Sequence, residues 1–194
     1  MKALNKFFMG TTLAITLLGA SVAWGDPSIV GGNVIVERPE VDTASNFYLI
    51  DTNHPLNADG MLDQWEIFAK ATASPAAIPP PVRLVIYRQK GDRFFVVGKS
   101  KAETPNPGYN LFKLRPKIKV KAGDFVGAYY PNTGSISFSY DPPSSPNTSD
   151  FGNGNLTGTT IFGFPDPNRI PFQFTLSSNR HYSIRVQGES SNKK

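Results

Sequence analysis

Apolar and polar residues alternate in short runs along most of this chain, and the runs are separated by Gly, Pro, Asn and Asp. Alternation with a period of two is the signature of a strand with one buried face, because successive strand side chains point to opposite sides. The runs predict strands near Asn33–Glu37, Asn46–Asp51, Leu62–Lys70, Val82–Arg88, Phe94–Lys99, Tyr109–Leu114, Lys117–Lys121, Phe125–Tyr130, Ser135–Tyr140, Thr160–Phe164, Phe172–Leu176 and Tyr182–Gln187. Strand signals repeated about every 8–12 residues, with turn residues between, are the pattern of an all-β sandwich. No stretch beyond the first 25 residues sustains an apolar period of 3.6. The expected fold is a single antiparallel, jelly-roll-like β-sandwich over residues 26–189, with a polar tail over 190–194.

Within single strands the alternation assigns faces. Trp65, Ile67 and Ala69 share one side of their strand, and Gln64, Glu66 and Phe68 share the other, which makes Trp65 a core residue. Val82, Leu84 and Ile86 alternate with Arg83, Val85 and Tyr87, predicting one buried and one mixed face. Gly91-Asp92 reads as the turn of a hairpin to Phe94–Lys99.

The most distinctive stretch is Lys113 to Pro131. Lys113, Arg115, Lys117, Lys119 and Lys121 fall on every second residue, with Leu114, Pro116, Ile118 and Val120 between them. A strand here would carry five cations on one face and an apolar row on the other. Ala122-Gly123-Asp124 then reads as a turn, because glycine takes positive φ freely and aspartate bonds nearby backbone amides. Phe125–Tyr130 reads as the returning strand of a hairpin.

The first 25 residues have the layout of a secretory targeting segment. Lys2 and Lys6 precede an apolar run from Phe7 to Leu18, and small residues follow, with cleavage expected near Ala23 or Gly25. That run is short for a membrane span, so the mature chain is expected to have none and to be secreted, extracellular or periplasmic. The chain contains no cysteine, which excludes thiol catalysis and cysteine-ligated metal centres. The formal net charge of +5 includes Lys2 and Lys6, leaving a mild excess in the remainder. That excess is too small to argue for nucleic acid, and no aromatics interleave with the cations for base stacking.

The order of several motifs resembles an extracellular β-sandwich module of secreted bacterial and some animal extracellular proteins. Asp59-Gly60 precedes Trp65-x-Ile67-Phe68-Ala69, followed by Val82-Arg83-Leu84-Val85-Ile86-Tyr87-Arg88 and Phe94-x-Val96-Val97-Gly98. Ile118-x-Val120-x-Ala122-Gly123-Asp124-Phe125-Val126-Gly127 and Tyr129-Tyr130-Pro131 complete the pattern, which covers about residues 45–140. The resemblance implies an extracellular sandwich. It implies no catalytic residue and no ligand.

Three constellations bear on chemistry. The cationic row, at steps of about 6.5–7 Å along a strand, would form a linear docking surface for anions. The same lysines, with Pro116, would also protect an exposed sheet edge from pairing with another chain. Asn57, Asp59 and Asp63, spaced as in a calcium loop around Gly60, form a weak calcium candidate, since Pro55 stands where the first ligand should be. An Asp-Gly turn explains those residues more simply. The two histidines, His54 and His181, have no metal-binding spacing, and the common nucleophile and phosphate-loop motifs are absent.

These features predict a non-catalytic binding module, without a cofactor, for cell-surface or polymeric carbohydrate, with anionic carbohydrate among the candidates. Its expected contacts are the cationic row, Tyr129, Tyr130 and the long loop 141–158. The alternative is a structural protein of the envelope or extracellular matrix that associates with itself or another protein. A hydrolase with acids assembled in space, such as Asp63 and Glu66, is a third reading.

Overall fold

The structure is a computed structural model and describes residues 29–71, 77–140, 160–163 and 176–191. The expected targeting segment 1–25, the loop 141–158 and residues 172–175 of one expected strand lie outside the described residues.

Twelve strands appear in this region: β1 (Ile29–Gly32), β2 (Phe47–Asp51), β3 (Gly60–Ala69), β4 (Arg83–Lys90), β5 (Arg93–Lys99), β6 (Gly108–Val120), β7 (Phe125–Tyr130), β8 (Phe138–Tyr140), β9 (Thr160–Gly163), β10 (Leu176–Ser178), β11 (Arg180–Tyr182) and β12 (Ile184–Ser190). They form an antiparallel four-stranded sheet, β1-β12-β3-β6, a six-stranded sheet, β10-β9-β2-β7-β4-β5, and a small β11-β8 ribbon. The all-β expectation holds. No described helix is long and apolar enough to cross a membrane.

A core built from both large sheets explains the alternation. Ile29, Leu62, Trp65, Ile67, Leu114, Ile118, Val120 and Val186 of the four-stranded sheet join Leu49, Leu84, Ile86, Val126, Ala128 and Tyr130 of the six-stranded sheet in one buried cluster. Trp65 is fully buried and packs on Phe112 with ring centroids 4.8 Å apart. The six-stranded sheet is apolar on its other face as well, where Ile50, Val85, Tyr87, Phe94 and Ile161 form a second buried cluster. The face of β4 expected to be mixed is therefore largely buried. A sheet buried on both sides has little alternation left to read.

The expected hairpin at Lys113–Pro131 does not form. β6 pairs with β3 in one sheet, whereas β7 pairs with β2 and β4 in the other. The turn between them carries the chain across the sandwich. Leu114, Ile118 and Val120 consequently face Val126, Ala128 and Tyr130 through the core, where a hairpin would have set them side by side. Alternation is identical in both arrangements, so it cannot separate them. Gly123 does take positive φ, +83°, as the turn requires. By contrast, β4 and β5 form the predicted hairpin, with Lys90 opposite Arg93.

Two further boundaries differ. The expected strands Tyr109–Leu114 and Lys117–Lys121 merge into one, β6, which ends at Val120 and accommodates Pro116 by a register irregularity: Leu62 faces Ile118, but Gln64 faces Lys113. Pro116 is exposed there and is not part of the inward apolar row. Asn33–Glu37 is not a strand, since Val34 and Val36 are exposed and have no core to alternate against.

Candidate functional site

The outer face of the four-stranded sheet carries most of the expected site. β6 is its edge strand, and Lys113, Arg115, Lys117 and Lys119 are exposed along it, with Lys121 exposed just beyond. The alternating pattern thus places all five cations in solvent. They are not equivalent. Lys113 Nζ donates to Gln64 Oε1 on β3, and Lys117 lies 3.5 Å from the Glu189 carboxylate on β12. The side chains of Arg115, Lys119 and Lys121 have no hydrogen-bond or ion-pair partner among the described residues, which leaves three uncommitted positive charges near one sheet edge.

Beside this row lies a polar network centred on Glu66. Glu66 is only 3 % exposed, although it is on the outer face of β3. Arg185 Nη2 donates to Oε2 at 2.8 Å and Gln187 Nε2 to Oε1 at 2.7 Å, both from β12. Tyr109 OH donates to the same Oε2 over 3.2 Å from β6. Gln64 Nε2 in turn donates to Gln187 Oε1 at 2.9 Å. Partial burial, and then the adjacent Glu66 carboxylate, raise the phenol of Tyr109 above its ordinary range, so it remains a donor at neutral pH. Sequence reading placed Glu66 and Gln64 on one face but missed Tyr109, Arg185 and Gln187, which lie on strands distant in sequence.

The two tyrosines expected as contacts separate. Tyr130 is fully buried in the core against Phe47, with centroids 4.9 Å apart, so it cannot meet a ligand at the surface. Burial also pushes its phenol well above the ordinary value. Tyr129, on the opposite face of β7, is half-buried, stacks on Tyr48 at 4.4 Å, and donates its hydroxyl to Asn46 Oδ1 at 2.8 Å. Neighbouring residues on a strand point to opposite faces, so they cannot serve one surface.

Two residues of the calcium candidate hold backbone amides. Asn57 Oδ1 accepts the Val30 amide at 2.8 Å and Asp59 Oδ1 accepts the Ala122 amide at 2.8 Å. Asp63 lies on β3, at the register irregularity beside Leu62. Among the described residues no group of three or more His, Asp or Glu side chains is placed to hold a metal ion.

Arg88 and Asp124, two of the residues on which the resemblance rests, meet in the fold. Arg88 closes a bidentate pair with Asp124, and Asp124 Oδ2 also accepts the Lys121 amide at 2.8 Å. The backbone of the same turn is bound to Leu56 in both directions, Leu56 N to Asp124 O and Gly123 N to Leu56 O, each at 2.8 Å. These contacts fasten the crossover between sheets, which is a framework role.

No known protein family matches the chain, and no curated protein does.

Proposed function

We propose that this protein is a secreted, non-catalytic binding module that attaches to anionic, cell-surface or polymeric carbohydrate through the edge of its four-stranded sheet. The observation carrying this reading is the trio Arg115, Lys119 and Lys121, exposed near one edge and unpaired among the described residues. A row of like charges on a β-strand matches a linear polyanion better than a compact anion, because its field extends along the strand. The non-catalytic part draws support from the use of the buried carboxylates. Asp42 holds Arg180 and Tyr182, Asp51 holds Asn33 and the Asn53 amide, Glu66 holds Arg185 and Gln187, and Asp124 holds Arg88. Each joins parts of the framework.

The test is binding of the mature protein to immobilised acidic and neutral glycans at low and high salt, alongside the Arg115→Ser/Lys119→Ser/Lys121→Ser variant. Acidic glycans should be retained preferentially, more weakly at high salt, and the variant should lose that retention while melting as the wild type does. Equal retention of acidic and neutral glycans, or equal binding by the variant, would overturn the reading.

A further inference from the structure

The cationic row accounts for attraction to a polyanion but cannot distinguish an acidic sugar chain from any other. The Glu66 network beside it can. Tyr109 is 57 % exposed, yet its hydroxyl is tied to Glu66. In the register of the sheet Tyr109 sits opposite Phe68, and Glu66 sits opposite Leu111. The tyrosine therefore reaches a diagonal neighbour, and its ring must lean across the sheet surface to do so. A ring fixed at its Cα by one strand and at its hydroxyl by the next is a preorganised, exposed aromatic surface. Such a surface suits the apolar face of a sugar ring, and little rotamer freedom remains to be lost on binding.

Charge stands next to that surface. Arg185 Nη2 and Tyr109 OH converge on the same Glu66 oxygen, which places the guanidinium beside the phenol. Glu66 uses Nη2 alone, so Nη1 has no partner among the described residues. Lys113 lies four residues beyond Tyr109 on β6, exposed and in contact with Gln64. Beyond it the strand continues through Arg115, Lys117 and Lys119.

We infer that Tyr109, Arg185 and Lys113 form a sugar-reading subsite for an acidic pyranose, with the ring stacked on Tyr109 and its carboxylate on Arg185 and Lys113, at one end of the cationic row. The ligand class is then a uronic-acid polysaccharide whose chain runs along β6 from Tyr109 towards Lys119. This assignment rests on the polyanion reading above and adds selectivity for sugar to it.

The experiment measures binding of the mature protein to an oligogalacturonate and to a polyphosphate of similar charge, each at two salt concentrations. It compares wild type, Tyr109→Ala, Tyr109→Phe and the Arg115/Lys119/Lys121→Ser variant. Tyr109→Ala should weaken oligogalacturonate binding about five-fold, the scale of one aromatic stacking contact, and leave polyphosphate binding and both salt slopes unchanged. Tyr109→Phe, which keeps the ring but not its tether, should lose less. If Tyr109→Ala weakens both probes equally, or neither, the subsite is overturned, and loss of both probes by the triple variant would show that the polyanion reading survives. If wild type binds neither probe, both are overturned.

Discussion

Arg88 and Asp124 form a two-pronged ion pair between the six-stranded sheet and the turn that leaves the four-stranded one, Nε to Oδ1 and Nη2 to Oδ2, both at 2.7 Å. Asp124 is almost completely buried, and the hydrogen bonds that Arg88 donates to its carboxylate raise the Arg88 guanidinium above its ordinary value. The turn between β6 and β7 is the place where the chain must choose between folding back as a hairpin and crossing the sandwich. A bidentate pair with β4, next to β7, selects the crossing.

Arg88→Ala should therefore destabilise the protein by about 3 kcal/mol, because it strands a buried carboxylate rather than merely removing an attraction. Urea denaturation of the protein measures this. A loss below about 1 kcal/mol, the range of exposed pairs, would mean that Asp124 finds adequate solvation elsewhere.

Gly127 marks a close approach between strands. A Cβ at this position would lie 2.2 Å from the Leu49 carbonyl oxygen and 2.8 Å from the Tyr87 ring. Leu49 and Gly127 belong to the paired strands β2 and β7, so the backbone itself would have to move. Gly127→Ala should cost about 1–3 kcal/mol, the usual range for overfilling a packed interior. A melting temperature within a degree of wild type would show that the two strands can separate without loss.

The lysines of β6 also bear on self-association. β6 is an edge strand with open backbone groups, and charge along such an edge opposes pairing with a second copy. Lys117→Thr/Lys119→Thr/Lys121→Thr should leave the protein's stability almost unchanged, since the one ion pair lost among the described residues, Lys117 with Glu189, is exposed. It should also make sedimentation depend on concentration. An unchanged monomer at all concentrations would remove edge protection as a reason for these residues and strengthen the case that they bind a ligand. A defined oligomer already present in the wild type would favour the assembly alternative.

How far the chain was legible can be judged from particular residues. Trp65 in the core, the Gly91-Asp92 hairpin, the turn at Gly123 and the solvent-facing cations of β6 all follow from period-two alternation and turn chemistry, which act within a few residues. The partner of each strand does not. Alternation says which side chains are buried but not against what, so β6 and β7 look the same as a hairpin or as facing walls of a sandwich. Period two puts Tyr129 and Tyr130 on opposite faces of β7, but only the packing of the two sheets makes the Tyr130 face the core and leaves Tyr129 half-buried. The Glu66 network depends on β3, β6 and β12 lying side by side, with Gln187 more than a hundred residues from Glu66. The sequence by itself determined the strand periodicity, the fold class and the charged edge, because those are local properties of the backbone and its side chains. Only the tertiary structure decided sheet membership, the second buried face and the convergence of Tyr109 and Arg185 on one carboxylate, because those depend on long-range pairing that no local pattern encodes.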